Sequence, residues 1–169
     1  HGTVAHVSTT GAPGYSIMIP SEHKAALIAE LGTLGVPQAK SVETEAVRLE
    51  YGKPRYGVDF SEGNIPLETQ LLQAIHTSKG CYLGQEIVER VRSRGHVNKL
   101  LVQLEIDSPV PPANGTKVLA GDAPSGDITS APFIAAMGPS LAFAIVRAEA
   151  LQSMLTVDGV SARVRRAAK

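Results

Sequence analysis

Leu155-Thr156-Val157-Asp158-Gly159-Val160-Ser161-Ala162-Arg163-Val164 decides how the second half of the chain is built. Two strand-like runs flank Asp158-Gly159. Asp-Gly in that setting marks a tight hairpin, because both turn positions need positive φ. Reading back toward the start, Leu141 to Val146, Ile128 to Ser130 and Val118-Leu119 are further short strands. Leu100, Val102, Leu104 and Ile106 alternate with other residues in the manner of a half-buried strand. Pro109, Pro111 and Pro112 break the chain after it. Short strands separated by turn residues predict a small all-β module, a barrel or a sandwich, over residues 98–169.

Upstream the texture differs, and residues 1–97 read as an α+β unit. Tyr15 to Ile19 alternates as a strand and Pro20-Ser21 closes it. Ser21 is a candidate N-cap for a helix carrying Leu27, Ile28 and Leu31, with Gly32 as its stop. Ser41 to Tyr51 permits a helix ending at Gly52, although Val47-Arg48-Leu49-Glu50 could also be a strand. Pro54, Gly57, Gly63 and Pro66 mark a long irregular connection, the kind of segment that often carries function. A short helix is expected from Gln85 to Ser93, with Ile87, Val88 and Val91 on one face, a Glu86–Arg90 i,i+4 pair and Gly95 as its end. The chain opens at His1 rather than Met and is read as part of a longer protein.

Composition narrows the function classes. The chain has 169 residues, 43% apolar and 19% charged, which is ordinary for a globular protein. Lys plus Arg and Asp plus Glu are both 16, so overall charge gives no reason to expect nucleic acid or an acidic membrane as a partner. No apolar run approaches a membrane span. One cysteine cannot form an internal disulfide, which fits a reducing compartment. Bacterial cytoplasm is the expected location and mitochondrial matrix the alternative.

Three clusters could carry chemistry. In Lys79-Gly80-Cys81-Tyr82-Leu83-Gly84-Gln85-Glu86, two glycines flank the cysteine ahead of a helix, with Lys79 two residues away. That is the setting of a reactive or metal-binding thiol, although Cys81 could equally be a small buried hydrophobe. No second cysteine supports a metal site within the chain alone. In Arg48-Leu49-Glu50-Tyr51-Gly52-Lys53-Pro54-Arg55-Tyr56-Gly57-Val58-Asp59, a carboxylate, tyrosines and cations share a Gly/Pro-bounded segment. A carboxylate can accept paired hydrogen bonds from an amino-pyrimidinone edge, a tyrosine can stack on an aromatic ring, and an arginine can clamp a carboxylate tail. The alternative is a solvated, ion-paired loop. Arg90, Arg92, Arg94 and His96 lack interleaved aromatics and read as a solvated helix face.

The Lys79–Glu86 run resembles the K-G-C-Y-x-G-Q-E signature of YgfZ-type proteins, in the broader GcvT (aminomethyltransferase-like) group. Arg94-Gly95-His96-Val97-Asn98-Lys99 resembles the segment that follows it there. The Arg48–Asp59 run resembles R-x-E-x-G-x-P-x-x-G-x-D, shared with aminomethyltransferases. The order and spacing hold from about residue 14 onward. The resemblance implies the later part of a folate-binding protein: a partial α+β folate-binding domain over 1–97 and a C-terminal β-barrel over 98–169. It implies tetrahydrofolate as cofactor, with Glu50 holding the pterin and Arg48, Tyr56, Lys79 and Arg90 as further contacts. Cys81 is then the functional thiol, and Lys79, Gly80, Tyr82, Gly84, Gln85 and Glu86 shape its loop. The implied role is accessory, in iron–sulfur cluster assembly or repair, with iron–sulfur proteins or assembly factors as partners. Aminomethyltransferases carry a phenylalanine-containing K-x-x-F-x-G-x-E run where this chain has Cys81-Tyr82, so glycine-cleavage chemistry does not follow from the likeness. A folate-dependent aminomethyltransferase or demethylase, and a non-catalytic scaffold, are the alternative functions.

Overall fold

The computed structural model describes residues 2–76, 79–95, 97–132 and 138–167. In chain order the regular elements are β1 (Thr3–Ala5), β2 (Ser16–Met18), α1 (Lys24–Thr33), α2 (Ser41–Glu50), α3 (Gln85–Arg94), β3 (Lys99–Ile106), β4 (Lys117–Ala120), β5 (Ala123–Ser130), β6 (Ser140–Arg147), β7 (Leu155–Val157) and β8 (Val160–Ala167). Short 3-10 turns join them at Pro66–Thr69, Leu72–Ala74 and Ala148–Gln152. The fold is α+β with a small C-terminal barrel.

β3 to β8 close into an antiparallel barrel in the order β3-β6-β5-β4-β7-β8. The β7–β8 hairpin turns at Asp158 and Gly159 with φ 50° and 76°, the doubly positive turn that Asp-Gly favours. β3 alternates as expected. Val102, Leu104 and Ile106 enter the barrel core with Val118, Ile128, Ala144, Val146, Leu155 and Val157, all buried. Leu101 and Gln103 leave on the opposite face and are also buried, because α2 and the following loop cover that side of the barrel. Leu49 of α2 packs there against Leu101 and Phe143. Gln103 donates its side-chain N–H to the Leu49 carbonyl, and Gln70 Nε2 donates to the Leu101 carbonyl at 2.7 Å. β5 lies so close to β6 at Gly126 that an added Cβ would meet the Ile145 carbonyl and sit 2.8 Å from Val146 Cα.

The ambiguous Ser41–Tyr51 stretch is helical. Lys40 N–H is bonded by Glu43 Oε2 at 2.6 Å at its start. At its end Gly52, with φ 63°, lets the Lys53 N–H reach Arg48 O at 2.9 Å and its own N–H reach Leu49 O at 3.0 Å. This double closure places Glu50 at the last helical position. In α1 two expectations change. Gly32 lies inside the helix, and the same closure falls on Gly35, φ 79°, with Val36 N–H on Leu31 O at 3.0 Å. Ser21 begins a 3-10 turn and makes no cap bond. β1 carried no sequence signal and pairs with β2 in a two-stranded sheet. In α3 Val88 is buried but Ile87 is 56% exposed, so the two do not share a face. No described helix is long and apolar enough to cross a membrane.

Candidate functional site

Arg48 and Asp59 organise the segment that carries the Arg48–Asp59 cluster. Both are buried, at 3% and 1% exposure. Arg48 Nε and Nη2 donate to Glu45 Oε2 at 3.1 and 2.8 Å. Nη1 donates to Lys53 O at 3.1 Å and to Asp59 Oδ2 at 2.5 Å, and Nη2 also reaches Ser130 Oγ at 3.1 Å. These bonds use all five guanidinium N–H groups. The ligand role expected for Arg48 therefore has no free donor to carry it. The Arg48 guanidinium carbon also lies 5.6 Å from the Phe143 ring centre, so α2 is fixed to the barrel by charge as well as packing.

Glu50 lies beyond this network. Its carboxylate is exposed and has no hydrogen-bond or ion-pair partner among the described residues. A carboxylate at a helix C-terminus faces the negative end of the helix dipole, worth about 0.3–1 kcal/mol against it, so the local fold does not ask for an acid here. Glu50 lines a cleft of about 290 Å³ between α2 and the barrel, together with Pro109, Pro139, Leu141 and Arg165. Among the described residues Arg165 makes one ion pair, with Glu105 at 4.0 Å, and its side chain is 42% exposed. Sequence reading missed Arg165. Only its place on β8, lining the same cleft as an unpaired acid, singles it out.

Tyr56, Lys79 and Tyr82 line a different cavity, of about 430 Å³, with Phe60, Leu71, Ile75 and Val88. Tyr56 meets Phe60 edge-on at 5.7 Å. The Lys79 ammonium lies 4.5 Å from the Tyr82 ring centre. The structure thus brings Tyr56 to the signature loop and leaves Glu50 in the other cleft. Gly80, Cys81, Gly84 and Glu86 are exposed and Gln85 is half-buried. Gly84 enters α3 with φ 87°, and Gly95 ends it with φ 72°. Arg90 pairs with Glu86 at 2.7 Å on the exposed face of α3 and lines neither cavity. Arg92 pairs with Glu89 at 3.3 Å. His96 lies outside the described residues. No group of three or more described His, Cys, Asp or Glu residues could hold a metal ion.

Residues 98–169 match the family of the CAF17 C-terminal beta-barrel domain. The chain is 31% identical over 145 residues to an aminomethyltransferase of Burkholderia mallei, covering 85% of this chain and 39% of that protein. It is 28% identical over 152 residues to an aminomethyltransferase of Xanthomonas axonopodis pv. citri, covering 89% and 41%. It therefore spans about two-fifths of the length of these curated relatives. The crystal structure of the glycine cleavage system aminomethyltransferase T from Bartonella henselae superposes with a TM-score of 0.85 at 19% identity. That match covers 98% of this chain and 48% of the other, and it shows a shared fold. These are likenesses over part of each relative's length: the barrel half to the CAF17 domain family, and most of the chain to aminomethyltransferases.

Proposed function

We propose that this chain carries a tetrahydrofolate-binding site built on Glu50, and that its protein is an accessory factor in iron–sulfur cluster assembly or repair. The observation that carries the reading is the unpaired Glu50 carboxylate in a cleft that Arg165 also lines. The two fit a pterin: the carboxylate accepts two hydrogen bonds from the amino-pyrimidinone edge, and the guanidinium donates to a ring carbonyl. Tyr56 and Lys79 line the other cavity and take no part in this site. Bound folate would bring a one-carbon unit, while this chain's own residues bind and orient it.

Cys81 supports the accessory role. Its thiol stands exposed in the loop whose Lys79 and Tyr82 border the second cavity, where a partner protein can reach it. The names of the curated relatives favour a second reading, folate-dependent aminomethyl transfer. That chemistry would proceed without Cys81.

Anaerobic titration calorimetry with tetrahydrofolate is the test. Binding by the wild type that falls at least tenfold in Glu50→Gln supports the cleft, and equal binding by both proteins removes Glu50 from the site. In a cluster-maturation complementation assay, Cys81→Ala is expected to lose activity. Full activity of that variant, together with methylene-tetrahydrofolate turnover, would favour aminomethyl transfer.

A further inference from the structure

Asp59 lies outside the Glu50 cleft, yet its carboxylate is bonded to two segments that carry or adjoin cleft-lining residues, α2 and the end of β5. Oδ2 accepts from Arg48 Nη1 at 2.5 Å and from the Arg55 N–H at 2.8 Å. Oδ1 accepts from Thr129 Oγ1 at 3.0 Å and Ser130 Oγ at 2.5 Å. The first pair of bonds holds α2 and the turn after it. The second holds the end of β5, two residues before Pro132, which lines the cleft. A carboxylate with four donors at 1% exposure is rigidly held, since each oxygen has its lone pairs occupied.

The helix converts this hold into a direction. Residues two apart on an α-helix point about 200° apart, so drawing Arg48 into the protein turns Glu50 outward. Gln103, bonded to the Leu49 carbonyl, pins the residue between them. A one-residue slip of α2 would swing Glu50 by about 100° and out of the cleft. The R-x-E…D run thus divides into two jobs. Glu50 meets the ligand, and Arg48 with Asp59 forms the frame that aims it.

We propose that Asp59 is the positioning residue of the Glu50 cleft, holding α2 and the end of β5 at the spacing that keeps Glu50 at the cleft. The proposal rests on the folate reading only for what Glu50 binds, not for where Glu50 points.

The test compares Asp59→Asn with Glu45→Gln in the whole chain. Glu45→Gln also alters a partner of Arg48 on the same helix, but it leaves the Asp59 bonds to both segments intact. Two readings are taken well below the lower melting temperature: the side-chain carboxyl resonance of Glu50 in ¹³C-labelled protein, and tetrahydrofolate affinity by calorimetry. Asp59→Asn is expected to shift the Glu50 resonance from its wild-type position and to weaken tetrahydrofolate at least tenfold. Glu45→Gln is expected to leave the resonance in place and change affinity less than twofold. If Asp59→Asn fails to fold, the double variant Thr129→Val, Ser130→Ala removes the barrel-side donors and should give the same displacement. An unmoved Glu50 resonance in the Asp59 or double variant, or an equal shift in Glu45→Gln, overturns the proposal. A wild type that binds no tetrahydrofolate but shows the expected resonance pattern sinks the folate reading and leaves the positioning intact.

Discussion

The barrel and the β1–β2–α1 layer use the same kinds of apolar residue to opposite effect. Barrel residues such as Leu104, Val118, Ala144 and Val146 are completely buried. In α1, the run Ala25-Ala26-Leu27-Ile28-Ala29 and Leu31 make six of ten residues apolar, and none is buried. Val4, Ile17 and Met18 on the neighbouring strands are 64%, 45% and 56% exposed. The difference lies in closure. An alternating strand buries one side as soon as the sheet curls on itself, and six strands do so here without outside help. A helix that is apolar on most sides needs cover on most sides, and the described residues cover α1 only in part, at Leu27 and Leu31, which are half-buried. Stability should therefore reside in the barrel and in α2, the helix the barrel holds.

Truncation on the two sides should separate them most widely. Leu104→Ala removes a fully buried side chain from the barrel core and should cost about 2–5 kcal/mol in chemical denaturation. A loss under about 1 kcal/mol would mean that the barrel core is loosely packed. Gly126→Ala drives a methyl into the β6 backbone and should cost about 1–3 kcal/mol in the same assay. Leu34→Ala, just beyond α1 and 73% exposed, should change stability by no more than about 0.5 kcal/mol. A large loss there would show that something covers α1 in solution, and the contrast would fail.

The same contrast explains what could be read from the residues alone. Alternation in Leu100–Ile106 and the Asp158-Gly159 turn are local signals, and both elements formed where expected. α2 was ambiguous because its decisive contacts are distant. Leu49 and Arg48 are fixed by Phe143 and Ser130, more than 80 residues away along the chain. The R-x-E…D run was visible, but its division of labour was not, because only burial distinguishes a ligand-seeking Arg from one whose five donors are spent internally. Arg165 could not be found from the sequence, since nothing in Arg163-Val164-Arg165-Arg166 says which arginine faces a cleft. The parting of Glu50 from Tyr56 and Lys79 into two cavities is likewise a property of the folded chain.

The central claim is that a pterin sits between Glu50 and the barrel. Hydrogen exchange on the whole chain, with and without tetrahydrofolate, tests it most directly. The account predicts slower exchange at Leu49–Lys53 and at Ser140–Leu141, the two walls of the Glu50 cleft, with the interior strands of the barrel unchanged. Protection confined to residues 79–88, or no protection at either wall under saturating ligand, would contradict it.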